Sequence, residues 1–118
     1  MKTVNLAQKL SQFAEHYSPR IVGELNDFHV KLVKLKGEFV WHHHDAEDEL
    51  FMVIHGELRM KIRDAEGQER EETIRPGEFI IIPHGVEHLP LCARGNPHHA
   101  DRASYNPEHR QHPQRADG

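Results

Sequence analysis

The stretch "GEFVWHHHDAEDELFMVIHG", residues 37–56, carries three consecutive histidines, a carboxylate cluster and then an alternating apolar run. In a strand, alternate side chains share a face. His42 and His44 therefore point one way, and His43 points the other way with Trp41 and Phe39. A tight connection through "DAED" brings Glu49 back beside the two imidazoles. Two imidazoles and a carboxylate on neighbouring strands are a recurrent ligand set for a divalent transition metal. Alone, the run is ambiguous, because the chain holds 12 histidines and a single strand histidine is more often structural or solvated.

Working outward, a second stretch sharpens the reading. "PGEFIIIPHGVEHLP", residues 76–90, has a turn at Pro76 and Gly77, an apolar strand over 79–82, and a second turn at 83–85 that leads to His88. Further strands are expected from Ile21 onward and over 28–35, 38–44, 49–55, 57–63, 70–74, 78–82 and 86–91. Turn signals at 36–37, 55–56, 64–67, 76–77 and 83–85 separate them. Many short strands with no helices between them predict a sandwich or barrel. Ahead of them, Val4, Leu6, Ala7, Leu10, Phe13, Ala14 and Tyr17 keep helical spacing with one apolar face, which predicts a short helix ended by Ser18 and Pro19.

The two stretches together resemble the paired signatures of the cupin superfamily. In the first, Gly37 precedes the histidines, four residues separate His44 from Glu49, and six separate Glu49 from Gly56. In the second, five residues separate Gly77 from Pro83, then come Gly85, two residues and His88. Two departures stand out: Cys92 replaces the usual closing asparagine, and one residue fewer lies between the first glycine and first histidine. Neither touches a ligand position. The segment 4–91 is similar to small single-domain bacterial cupins. That resemblance implies an all-β jelly-roll barrel with a short N-terminal α-helix, and a metal held by His42, His44, Glu49 and His88. The expected organisation is a helix-bearing segment over 1–19, a barrel over 20–92 and a disordered tail over 93–118.

Composition narrows the partners. The chain of 118 residues fits one domain, with 19 acidic against 15 basic side chains and no basic run. Nucleic acid and anionic membranes are poor partners for such a surface. No apolar stretch approaches the roughly 18 residues that span a bilayer, and residues 1–17 lack the apolar block of a signal peptide. A single cysteine, Cys92, permits no internal disulfide, so a reducing cytoplasm is the expected compartment.

Three nitrogen donors and one oxygen suit Fe, Mn, Ni, Co or Zn as a divalent cation, without choosing among them. In six-fold coordination two positions stay open for a small-molecule substrate, or substrate plus dioxygen. Cupins use such sites for dioxygenation, isomerisation and decarboxylation, and some simply bind a small molecule. The two expected classes are thus a metal-dependent enzyme acting on a small polar molecule and a non-catalytic binding or sensing barrel. A metal-free epimerase would instead use a histidine–aspartate base. Homodimerisation, common among cupins, is compatible with either. Asp48, Glu47 and Glu87 are expected to be solvated, His29, His55 and His84 to be turn or surface residues, and Phe51 and Val53 to be core or pocket wall.

Residues 93–118 keep no strand or helix periodicity, and the resemblance stops near Leu91, where another strand is due. Codons exist for residues 95–113 such that reading one nucleotide later yields ATHIMLIEPATTLNTGNTP. That text contains an apolar strand, "HIMLIEP", and an ending like that of small cupins. The tail is therefore read as a frameshifted segment; the alternative is a genuine tail with weak metal affinity through His98, His99, His109 and His112.

Overall fold

The structure, a computed structural model, describes residues 1–92 and the backbone of 100–107. It is almost wholly β, with one short helix, α1 (Leu6–Leu10). The strands are β1 (Arg20–Leu25), β2 (Phe28–Leu35), β3 (Glu49–His55), β4 (Leu58–Arg63), β5 (Glu69–Ile74), β6 (Phe79–Ile82), β7 (Glu87–Cys92) and β8 (Ala100–Pro107). They form a five-stranded sheet in the order β1-β2-β8-β3-β6 and a three-stranded sheet in the order β5-β4-β7. Every strand pairing is antiparallel. The two sheets face each other as a jelly-roll sandwich that is not closed into a barrel.

Alternation builds the core. Along β3 and β4 every second residue is buried. Phe51 and Val53 on β3, Leu58, Met60 and Ile62 on β4, and Val33 and Leu35 on β2 meet between the sheets, with Ile74, Ile82 and Cys92. The Cys92 thiol donates to the Leu35 carbonyl at 3.2 Å, so the cysteine is packed inside.

β2 is buried on both faces because the N-terminal segment covers its outer side. Leu10 packs on Leu32, with Leu6, Phe13, Val22, Met52 and Ile54 around them. The helix is shorter than the spacing predicts. Asn5 caps it, its side chain accepting from the Gln8 N–H at 3.0 Å, and the Ser11 hydroxyl binds the Gln8 carbonyl at 2.6 Å. Beyond it the chain turns to β2 for hydrogen bonds: the Tyr17 N–H donates to the Lys34 carbonyl at 2.8 Å. A single isolated turn and a half is marginal in water, and the sheet edge wins residues that a longer helix would have used.

Two further differences bear on the site. Residues 38–44, expected as a strand, touch β7 only through isolated bridges, Glu38 with Leu91 and His42 with His88. Four steps on one side match three on the other, so an extra residue is inserted as in a bulge. It breaks strict alternation: the Phe39 ring meets the His42 ring edge-on at 5.3 Å instead of facing the opposite way. Residues 100–107, expected within a disordered tail, are drawn into β8, paired with β2 on one side and β3 on the other. The rest of 93–118 lies outside the described residues.

Candidate metal centre

The register between residues 38–44 and β7 sets the first half of the site. The His42 N–H donates to the His88 carbonyl at 3.0 Å, and the His88 N–H returns to the His42 carbonyl at 2.9 Å. Directly opposed residues of an antiparallel pair project to the same face. Their rings accordingly lie 4.3 Å apart, centroid to centroid. The second half comes from the segment carrying His44 and from the start of β3, where Glu49 is paired with Ile82 of β6.

The chain reaches His88 from β6 through the turn at 83–86, and Gly85 ties that turn to His44. Its N–H donates to the His44 carbonyl at 2.6 Å with φ at +81°. Only glycine adopts that conformation without steric cost. Gly85→Ala is expected to cost about 1–2 kcal/mol, a melting temperature lower by roughly 5–10 °C, measurable by thermal unfolding of the metal-free protein.

One nitrogen or oxygen from each of His42, His44, Glu49 and His88 lies within 4.8 Å of all the others. Glu49 Oε1 stands 3.0 Å from His44 Nε2 and 3.5 Å from His88 Nε2. Both His42 and His88 direct Nδ1 at a carbonyl two residues earlier, Val40 at 2.9 Å and Val86 at 3.0 Å. A carbonyl only accepts, so Nδ1 carries a proton in each ring, and the nitrogen left to act as a metal donor is Nε2. Such anchoring of the far nitrogen is how proteins orient ligating histidines. His88 Nε2 is buried without a hydrogen-bond partner. This nitrogen, on a residue 1 % exposed, faces the buried Glu49 carboxylate, an arrangement that a shared cation would satisfy. Burial holds the His42 pKa below the usual imidazole value, partly opposed by the Val40 carbonyl, which favours the neutral form a metal needs. The four side chains could therefore hold a divalent cation. Phe51, fully buried, closes the floor with its ring 5.7 Å from that of His88. Phe39 walls the His42 side and stacks on Tyr17 at 4.9 Å.

The structure thus brings together the four residues that the resemblance implied. Other expectations fare less evenly. Phe51 and Val53 are core, and His55 is exposed, as expected. Glu87 is partly exposed and ion-paired with Arg63 at 3.3 Å. Glu47, expected to be solvated, is buried, and so is His29. Asp48 is exposed but not idle: its carboxylate accepts from both the backbone N–H and the ring Nδ1 of His84, each at 2.9 Å. The connection between the strands folds back on the 83–85 turn, a long-range contact that neither local alternation nor turn chemistry announces.

Among the described residues, no helix is long and apolar enough to cross a membrane. Comparison with known proteins agrees with the fold. The uncharacterized protein YdbB of Bacillus subtilis is 33% identical over 87 residues, covering 74% of this chain and 74% of its own length. The crystal structure of a cupin-2 domain protein from Shewanella frigidimarina superposes with a TM-score of 0.79 at 39% identity, over 89% of this chain and 94% of that one. A shorter match of 55 residues, 38% identical, links 47% of this chain to 31% of the 3-hydroxyanthranilate 3,4-dioxygenase of Xanthomonas euvesicatoria, so the chain spans about a third of that enzyme. The Cupin_2 profile, the cupin domain, matches residues 29–100, and with the two-sheet fold and its histidine–carboxylate cluster this chain belongs to the cupin family.

Proposed function

We propose that this chain binds a divalent transition metal through His42, His44, Glu49 and His88 and acts with it on a small polar molecule, by dioxygenase- or isomerase-type chemistry. The observation that carries the reading is the pair of imidazoles whose Nδ1 atoms are engaged by the Val40 and Val86 carbonyls, leaving Nε2 directed at a buried carboxylate. A bound divalent cation would supply Lewis acidity and, in octahedral coordination, open positions for an oxygen-bearing ligand.

The chain's own residues do the rest. Glu49 supplies the negative charge that offsets the cation. The Val40 and Val86 carbonyls fix two rings, so little side-chain freedom is lost on binding. Phe51 and the core beneath it exclude water from below. His42 and His44 are partly exposed, and a small molecule would approach from their side. The match to a 3-hydroxyanthranilate dioxygenase favours oxygenation of a small aromatic acid as the first chemistry to try.

Elemental analysis of the untagged protein is expected to find one equivalent of metal per chain. Oxygen uptake by the iron-loaded protein with 3-hydroxyanthranilate and related hydroxy-acids then tests the oxygenase reading. Metal retention without turnover of any of them would assign the barrel to binding or sensing. A well-folded protein that takes up no metal would overturn the proposal.

A further inference from the structure

The ligands reach the site from two halves of the fold. His42 and His88 are locked to each other by two reciprocal backbone hydrogen bonds. Glu49 belongs to β3 in the other sheet, and His44 lies on the connection leading to it. Besides the β3–β6 ladder that pairs Glu49 with Ile82, two ties among the described residues join the connection at 44–48 to the 83–85 turn. One is the Gly85 N–H to the His44 carbonyl at 2.6 Å. The other is the Asp48 carboxylate, which accepts twice from His84 at 2.9 Å. Asp48 is the chain neighbour of Glu49, and His84 lies four residues before His88.

We infer that Asp48 and His84 form a clamp that sets the separation of Glu49 from His88, so that Asp48 is a positioning residue for metal binding. This rests on the metal reading above. The bonds are built for holding a turn in place. One donor is a backbone N–H, so the Asp48 carboxylate fixes the turn's main chain as well as a ring. Both bonds meet at one oxygen, Oδ1, which makes the tie short and directional. The pair is largely exposed, 60% for Asp48 and 62% for His84, so it adds little to overall stability. Its effect falls instead on geometry. Without it, the Gly85 hydrogen bond still ties the turn to the 44–48 connection, and the Glu49–Ile82 pairing still holds β3 to β6. The angle at which the turn delivers His88 toward Glu49 is less constrained. Ligand atoms that must converge within a few tenths of an ångström are sensitive to such loosening.

The clamp makes a prediction that a purely structural role does not. Co(II) binding is measured by titration calorimetry and by its visible absorption in the wild type, Asp48→Ala, Asp48→Asn and His84→Ala. Asp48→Ala is expected to weaken Co(II) roughly tenfold, the lower end of what partners of ligands contribute, and to speed its release to chelator. The metal-free protein should melt within a few degrees of wild type. Asp48→Asn keeps an oxygen acceptor and should recover most of the affinity. His84→Ala keeps the backbone bond and should fall between. Should Asp48→Ala fold poorly, Asp48→Asn and His84→Ala still rank the affinities. Equal Co(II) affinity in wild type, Asp48→Ala and His84→Ala would overturn the clamp, as would a lowered metal-free melting temperature with unchanged affinity. Wild type that binds no Co(II) would instead remove the metal reading itself, a result distinguishable from the first.

Discussion

His88→Ala is expected to abolish the proposed near-stoichiometric metal binding, with an affinity loss of more than about 100-fold, beyond the range that partners of ligands contribute. His88 is the residue with most to lose. It is 1 % exposed, its ring is fixed by Val86, and its free nitrogen faces Glu49 at 3.5 Å. Removing it deletes a donor and leaves the carboxylate facing a cavity. His42→Ala should behave alike, because reciprocal backbone bonds set the two rings side by side. Elemental analysis of the purified variants reads the result. A parallel test uses thermal unfolding. Metal at 100 times its dissociation constant stabilises a folded protein by about 2.7 kcal/mol, so wild type should melt roughly 10–20 °C higher on loading. The two variants should not respond. A variant that keeps stoichiometric metal would remove its residue from the ligand set.

The same site carries a pH dependence. The His42 pKa is depressed by burial, so in this region the unfolded chain binds protons more readily than the folded one. Stability contributed by neutral His42 is therefore present above the unfolded value, about 6.5, and is lost as pH falls below it. Metal bound there is expected to leave as the pH falls, since protons compete for ligating nitrogens. Metal content measured across a pH series should fall on acidification; retention of metal in strong acid would contradict neutral imidazole ligation.

The second large effect concerns β8. Its register pairs Arg102 with Val33 on β2 and with Val53 on β3, and both valines are at most 2% exposed. Ala100 is paired with Leu35, and Ser104 with Phe51. A strand in the middle of a sheet, at positions flanked by core residues, normally supplies apolar side chains. "ADRASYNP" does not. We propose that residues 95–113 are read out of frame and that ATHIMLIEPATTLNTGNTP is the matched ending. Each apolar residue buried adds about 1.5–3 kcal/mol. A chain with that replacement should therefore melt more than about 10 °C above the present one, by thermal unfolding under identical conditions. An equal or lower melting temperature would count against it. Sequencing the gene gives an independent answer, since codons for residues 96–102 that cannot yield the strand in the shifted frame would end the idea.

These cases show what a reader of the chain can and cannot see. The strands from Phe28 to Leu35 and Glu49 to His55 follow from alternation and flanking turns, because burial of one face imposes a period of two. The histidine–carboxylate cluster was legible because its spacing repeats a family signature. The helix was overestimated, since helical spacing of apolar residues says nothing about competition from a nearby sheet edge for the same N–H groups. Alternation also misplaced Phe39, because an inserted residue shifts every later side chain to the other face. Asp48 stayed hidden for a different reason: its partner lies 36 positions away, and only the folded turn brings them together.

The place of β8 has a consequence for how the molecule is made. β8 follows the other described strands in the chain, yet it is the middle one of its sheet. β1 with β2, and β3 with β6, can each pair while synthesis proceeds, but the two ladders share no strand pairing until β8 arrives between them. During that interval two inner edges, one on β2 and one on β3, stand open to any passing strand. The interval before β8 is made is thus the hazardous one for this chain, and the integrity of that strand decides whether nascent molecules join their own ladders or one another's.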